Sequence, residues 1–367
     1  MKILLLGAGK IGAAVAELLA GTGDYEVAAV DRSRALLRGV PRGVERVVAD
    51  VEDRGVLDRL MKGQDAVVSA LPFYLNVKVA EAARASAIHY FDLTEDVETT
   101  RAIRRLARGA RCAFMPQCGL APGFISIVAN HLAASFDTLD IVRMRVGALP
   151  QYPTNALNYN LTWSTDGLIN EYCNPCEAIH HGKRIETLPL QGIEHFSLDG
   201  VTYEAFNTSG GLGTLADSLD GKVRELDYKT VRYPGHAERM QLLINDLKLG
   251  ERRALLKDVL ETAIPVTLQD VVLVFVTVTG QRDNRLTQES YAAKIYAGEV
   301  NGRVWSAIQR TTAAGIAAMV DLMREGELKP RGFLRQEDVT LETFLANRFG
   351  RVYADEAVTV GIGARPS

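Results

Sequence analysis

The sequence predicts an α/β protein: a doubly wound parallel sheet with an inserted α+β domain that carries a mixed sheet. Three observations predict it. A glycine-rich turn joins the first strand to the first helix, strands and helices alternate regularly from Lys2 to Pro116, and strands dominate after Gly123. Lys2–Leu6 is an apolar run suited to a strand buried on both faces. Gly7-Ala8-Gly9-Lys10-Ile11-Gly12 follows, and Ala13–Ala20 reads as a helix of small and apolar residues. Glu26–Val30 is a second strand that ends at Asp31. Each glycine has a mechanical reason: Gly7 for the tight turn, Gly9 for close approach to a pyrophosphate, Gly12 for helix–strand packing. The helix start at Lys10 and Ile11 offers free N–H groups to phosphates. Asp31, about 20 residues on, is placed to accept hydrogen bonds from an adenosine ribose. Motif and context together specify a Rossmann-type dinucleotide site. The acid repels a 2′-phosphate, so NAD is expected over NADP, although Arg32 and Arg34 pull the other way.

The alternation continues through strands at Val44–Ala49, Asp65–Leu71, His89–Asp92 and Ala113–Pro116. Between them lie helical stretches at Val56–Met61, Asn76–Ser86 and Thr99–Arg108. Ligands of such sheets sit beyond the carboxyl ends of the strands. That rule adds Asp50, Ala70, Leu71 and Pro72 to the cofactor-binding set, which also takes in Arg32 beside Asp31, and places Asp92 and Gln117–Gly119 in the cleft.

From Gly123 the expected strands are Leu139–Val146, His195–Leu198, Lys222–Tyr233, Val271–Thr279 and Ala292–Ala297, with helices at Glu238–Leu247 and Arg253–Thr262. Ser306–Arg324 is a long helix whose Ala-Gly face suits packing against a sheet, so it is expected to return to the first domain. A short helix is expected over Leu341–Phe349. The domain reading is 1–122 for dinucleotide binding, 123–305 for substrate binding and dimerisation, 306–350 for the returning helices, and 351–367 as a tail.

A chain of 367 residues has room for two domains, and 47% hydrophobic with 24% charged residues is a globular composition. The net charge of −3 gives no reason to expect a nucleic acid or an anionic membrane as partner. No apolar run reaches membrane-spanning length, and no secretory leader is read at the N-terminus. Four cysteines are no disulfide framework, so a reducing cytoplasm is the expected compartment.

Four further segments carry candidate chemistry. Gln117–Gly123, with Cys118, is a turn placed where nicotinamide would lie. Thr208-Ser209-Gly210-Gly211, within Tyr203–Thr214, is a polar loop able to wrap a carboxylate with backbone N–H groups. Tyr228–Glu238 brings Lys229, Arg232, His236 and Glu238 together, the residue types that bind a carboxylate and move a proton. Asn158–Leu168 is dense in amides, hydroxyls and aromatics. Cys173-Asn174-Pro175-Cys176 with His180 and His181 imitates a zinc site but lacks a second paired element, so no metal is expected.

Taken together, Gly7-Ala8-Gly9, Asp92-Leu93, Gly119–Gly123, Glu204–Gly211 and Tyr228–Glu238 resemble the saccharopine dehydrogenase-like family of amino-acid oxidoreductases over nearly the whole chain. Within it they are most similar to the lysine-oxidising branch. Saccharopine reductases usually carry an acid where Ala121 stands. Gln117-Cys118 and Thr94-Glu95-Asp96 depart from the lysine enzymes. The resemblance implies a Rossmann domain interrupted by a substrate and dimerisation domain, a homodimer, and oxidative deamination of the ε-amine of an amino-acid substrate, L-lysine, with NAD.

Lysine's ammonium must lose a proton before hydride can leave, and a carboxylate or imidazole in a desolvated cleft is the natural acceptor. Asp92 and His236 are the two candidates for that role. Arg232 would clamp the α-carboxylate, with Asn158, Thr208, Ser209, Gly210, Gly211 and Cys118 as further substrate-binding positions. Three alternatives stay open: a saccharopine reductase using NADP, a polyamine dehydrogenase or synthase of similar fold, and a non-catalytic NAD-sensing module.

Overall fold

The apolar run at the N-terminus forms β1 (Lys2–Leu6) in the computed structural model, which describes residues 1–354 and the backbone of Ala357–Val358. Ile3 to Leu6 are all buried, because neighbouring strands and covering helices leave β1 no wet face. After it come α1 (Lys10–Ala20), β2 (Glu26–Asp31), α2 (Arg34–Leu37), β3 (Glu45–Val48), α3 (Arg54–Leu60), β4 (Ala66–Ser69), α4 (Phe73–Ser86), β5 (His89–Asp92), α5 (Val97–Ala107) and β6 (Ala113–Met115). Then follow α6 (Phe124–Ala133), β7 (Thr138–Pro150), α7 (Thr165–Cys173), β8 (Cys176–His180), β9 (Lys183–Thr187), β10 (Glu194–Leu198), β11 (Val201–Asn207), α8 (Leu215–Ser218), β12 (Glu225–Arg232), α9 (His236–Gln241) and α10 (Arg253–Ala263). The remainder is β13 (Asp270–Arg282), β14 (Arg285–Tyr296), β15 (Gly298–Val300), β16 (Arg303–Trp305), α11 (Ala307–Glu325), β17 (Gly332–Phe333), α12 (Leu341–Ala346) and β18 (Ala357–Val358).

Two compact units result: Met1–Phe124 with Gln309–Val352, and Ile125–Ile308 with the described residues from Tyr353 on. The first holds a seven-stranded sheet in the order β17-β6-β5-β4-β1-β2-β3, parallel throughout. Strand order reverses beside β1, so the crevice at its carboxyl end is the topological switch point where such sheets take ligands. Leu4, Leu6, Val67, Val79, Tyr90 and Phe114 belong to the core of this unit. The seventh strand is not legible in sequence. Its two residues pair with Ala113 and Phe114, and two residues show no periodicity.

The second unit carries a nine-stranded mixed sheet along the path β10-β11-β12-β7-β13-β14-β18, with β8 joining β12 to β9. Only β12 and β7 pair in parallel; the others are antiparallel. The β8–β9 hairpin escapes the sequence reading because β9 is polar and mostly exposed, without one apolar face. The helix expected over Glu238–Leu247 begins earlier, at His236, and continues past Gln241 as a π-helical stretch, Leu242–Asp246. Most of the expected tail, 351–367, lies outside the described residues. No described helix is long and apolar enough to cross a membrane.

Candidate functional site

In the first unit the site is built from the glycine turn. A Cβ on Gly12 would lie 1.9 Å from the Gly7 carbonyl oxygen, so helix and strand require glycine there for their own packing. A Cβ on Gly9 would meet nothing within 4 Å. That open space faces the start of α1, whose N-cap, Gly9, supplies no capping side chain, so the first N–H groups of α1 remain for a ligand. A pyrophosphate fits this cradle. Asp31 sits as expected at the end of β2. Its Oδ2 accepts from the Ala8 N–H at 2.8 Å and its Oδ1 from the Ser33 N–H at 2.7 Å. These bonds fix the carboxylate beside the turn and leave lone pairs for ribose hydroxyls.

The other expected cofactor positions also lie beyond strand ends. Ala70 donates its N–H to Leu6 at 2.8 Å, ahead of half-buried Leu71 and of Pro72, the N-cap of α4. Arg32 is exposed, 4.0 Å from Glu52, and Asp50 is exposed and accepts from the Glu52 N–H. Buried Ser69, which bonds Asn76 at 2.7 Å, is a polar pair beside this loop that the sequence reading does not single out.

Asp92 ends β5 and is wholly buried. Its carboxylate accepts from Tyr90 Oη at 2.6 Å and from the N–H groups of Thr94 and Gln117 at 3.0 Å each. Burial pushes its pKa up to about 6 against the pull of those bonds. Cys118 does not fill the expected substrate-binding role. Its thiol turns inward, donating to the Met115 carbonyl at 3.0 Å and accepting from Gln336 Nε2 at 3.2 Å. Burial raises the thiol's pKa well above the ordinary value, so it stays protonated and inert.

In the second unit β12 ends in Arg232, buried and held by neutral partners. Nε donates to Tyr172 Oη at 3.1 Å, Nη1 donates to the Val231 carbonyl at 2.8 Å, and the guanidinium lies 4.9 Å from the Tyr159 ring centroid. His236 does not suit the expected proton-acceptor role. Its Nδ1–H donates to the Leu157 carbonyl at 2.8 Å, so Nε2 is the acceptor that faces Tyr172 Oη at 3.1 Å. Burial first, then the nearby Arg232 charge, press its pKa down to about 3. The imidazole is neutral and committed. Leu157, His236, Tyr172 and Arg232 form one chain of hydrogen bonds that sets the guanidinium.

Asn158, with φ of 50°, stands between the two contacts of that chain, Leu157 and Tyr159. The loop after β11 is anchored inward. Thr208 and Thr230 share a hydroxyl bond of 2.7 Å, and the Ser209 N–H goes to the Glu171 carbonyl at 3.0 Å. Gly210 has φ of 87°, and Gly211 lies against Tyr228, whose ring a Cβ would meet at 2.1 Å. The expected open cradle at Thr208–Gly211 is therefore not what these residues form; they brace β12.

Beside Tyr159, whose ring lies against Arg232, buried Asn160 Oδ1 has no hydrogen-bond partner among the described residues, while Tyr159 and Thr162 meet each other. Their segment is the amide-rich one noted in sequence. Tyr172 gave no such signal, and Glu204 is read in sequence only as part of a longer segment. Glu204 accepts from the N–H groups of Gly235 and Ala237 at 2.6 Å each and so fixes the start of α9. Away from this cluster, His180 and His181 meet Glu225, and no described cysteine joins them.

Comparison with known proteins matches the chain in two consecutive stretches. Residues 3–113 match the family model described as "Saccharopine dehydrogenase NADP binding domain", and residues 119–350 match "Saccharopine dehydrogenase C-terminal domain". The saccharopine dehydrogenase (NADP+, L-glutamate-forming) of Saccharomyces cerevisiae is 28% identical over 208 residues, covering 52% of this chain and 44% of that protein. The mitochondrial alpha-aminoadipic semialdehyde synthase of Rattus norvegicus is 23% identical over 193 residues, covering 50% of this chain and 21% of that protein. The chain thus spans less than half the length of these curated relatives. An apo saccharopine dehydrogenase (L-Glu forming) structure from Saccharomyces cerevisiae superposes with a TM-score of 0.74 at 18% identity, covering 93% of this chain and 95% of that one. At that identity the likeness speaks for the fold.

Proposed function

The chain belongs to the saccharopine dehydrogenase family, and within it we propose a nicotinamide-dependent amino-acid dehydrogenase that oxidises the ε-amine of L-lysine with NAD. The observation that carries this reading is the buried Arg232 guanidinium, hydrogen-bonded to the Tyr172 hydroxyl and the Val231 carbonyl and packed against the Tyr159 ring, with the partnerless Asn160 Oδ1 in the same segment. A buried polar atom without a partner costs about 1–3 kcal/mol, so such a cluster is best explained by a polar ligand that completes it. A guanidinium has five N–H donors, and two are used here, which leaves donors for a carboxylate. The Asn160 amide oxygen can accept from an ammonium. An amino acid has both groups.

The turn at Gly9 and the Asp31 carboxylate would hold a nicotinamide dinucleotide, which would supply the hydride acceptor. The ε-ammonium must lose a proton before hydride leaves, and Asp92, whose raised pKa suits it to take one near neutral pH, is the first unit's candidate acceptor. Loss of hydride from the ε-carbon then leaves the protonated imine. Water adds to it, and ammonia departs as the aldehyde forms and closes on the α-amine. Asp31 favours NAD by repelling a 2′-phosphate.

The test is absorbance at the NADH wavelength with purified protein and L-lysine, ornithine or saccharopine, each with NAD and with NADP. Turnover of lysine with NAD supports the reading. Turnover of saccharopine with NADP, but not of lysine, overturns it for the second reading, which the similarity to saccharopine dehydrogenases and exposed Arg32 favour. The rate should rise with pH through an apparent pKa near 6 in the free enzyme. Asp92→Asn should lower kcat by about 10²- to 10⁴-fold and abolish that limb. A limb that survives in the variant removes Asp92 from the proton step.

A further inference from the structure

The β8–β9 hairpin turns on His181 and Gly182, both with left-handed backbone, at φ of 50° and 73°. Neighbouring residues of a strand normally point to opposite faces. Here the left-handed turn swings His181 round to the side of His180, and the two rings lie with centroids 4.0 Å apart. Both present Nδ1 to one carboxylate, Glu225 at the start of β12: His180 to Oε2 at 2.7 Å and His181 to Oε1 at 3.4 Å. One ligand atom from each of the three residues falls within 4.8 Å of the others.

The arrangement is held from outside. The Gly182 N–H donates to the Arg224 carbonyl at 2.9 Å, which pins the turn to the strand that carries Glu225. Arg224 Nη1 donates to Glu225 Oε1 at 2.7 Å and orients the carboxylate, while its own charge is offset by Asp140 at 2.6 Å. Glu225 Oε2 has His180 as its partner. The histidines are exposed, so solvent reaches the remaining coordination positions.

We propose that His180, His181 and Glu225 form a surface site for a divalent transition metal of the zinc class. Two imidazole nitrogens and one carboxylate are the donor set that zinc takes, with water completing a tetrahedron. Ligand atoms about 2.1 Å from a tetrahedral ion lie about 3.4 Å apart, a spacing these side chains reach by small rotations. Each imidazole moves its ring proton from Nδ1 to the solvent-facing Nε2 and offers the freed lone pair. Magnesium and calcium, which want oxygen ligands, are excluded by the same donor set. Arg232 lies seven steps along β12 from Glu225, about 23 Å at strand rise, so the ion would tie the hairpin to β12 without entering the chemistry proposed above.

Zinc binding to the tag-free full chain, measured by competition with a chromophoric chelator, tests the site. His180→Gln with His181→Asn removes both nitrogens, and asparagine tolerates the left-handed backbone at the turn. Wild type should bind one equivalent of Zn²⁺ that excess Mg²⁺ does not displace. The double variant, with unchanged circular dichroism, should bind it at least tenfold more weakly, and Zn²⁺ should raise the Tm of wild type alone. Equal zinc affinity in wild type and variant, or displacement by Mg²⁺, overturns the site.

Discussion

Gly9 and Gly12 are alike in sequence and opposite in physics. Gly12 is required by the fold, since any Cβ collides with the Gly7 carbonyl, whereas Gly9 borders open space. Gly12→Ala should therefore fail to fold, while Gly9→Ala should keep its Tm and weaken dinucleotide binding about tenfold or more by titration. Arg232 and His236 separate in the same way. Arg232→Lys keeps the charge but loses the fork, and should raise the KM for the amino acid about 10- to 100-fold with kcat little changed. His236→Gln should shift KM in the same direction by less. It should leave the pH profile intact, because a group held near pKa 3 is neutral throughout the working range. Loss of the acidic limb in that variant would restore His236 as the proton acceptor. Residue type alone misled here: a histidine beside an arginine invites a catalytic reading. Only burial and two committed nitrogens show it to be a positioning residue.

At the scale of elements, β12 is the spine of the second unit. It pairs with β7, β8 and β11, and carries Glu225 at one end and Arg232 at the other. The start of α9 is fixed to it by Glu204 of β11, which takes two backbone N–H groups, and Glu204 lies opposite Arg232 in the ladder. Glu204→Ala should cost about 2–3 kcal/mol in chemical denaturation and raise KM by loosening His236, while Glu204→Gln should recover part of both. The long strands at β7, β12 and β13 were legible from their runs of apolar and β-branched residues. The elements that were missed, β9 and β17, are polar or two residues long, and neither carries a period-2 signal.

Across the whole molecule each unit has its own core, and the second adds a buried charge network. Arg145 on β7 is bonded to Glu194 and Asp227, with Lys229 on Glu194 at 2.8 Å. Burial alone would raise the pKa of Glu194, but bonds and charge from Arg145, then Lys229, outweigh it and hold the group at about 2. A carboxyl whose folded pKa is depressed stabilises the fold above its unfolded value, near 4.5, and loses that stability as pH falls towards 2. Arg145→Met should destabilise by about 3 kcal/mol at neutral pH, the low end for such networks because both acids are a third exposed. The gap from wild type in denaturant midpoint should narrow between pH 4.5 and 2. A constant gap would mean the network is not what Arg145 stabilises. By itself the sequence determined the parallel sheet, the dinucleotide turn and Asp31, because strand period, glycine sterics and a fixed offset are local properties of the chain. Only the tertiary structure decided what Arg232, His236 and the histidine pair do. Tyr172 lies 60 residues from Arg232 and Glu225 lies 45 from His180, and a hydrogen bond across such a separation leaves no periodic trace in the chain that makes it.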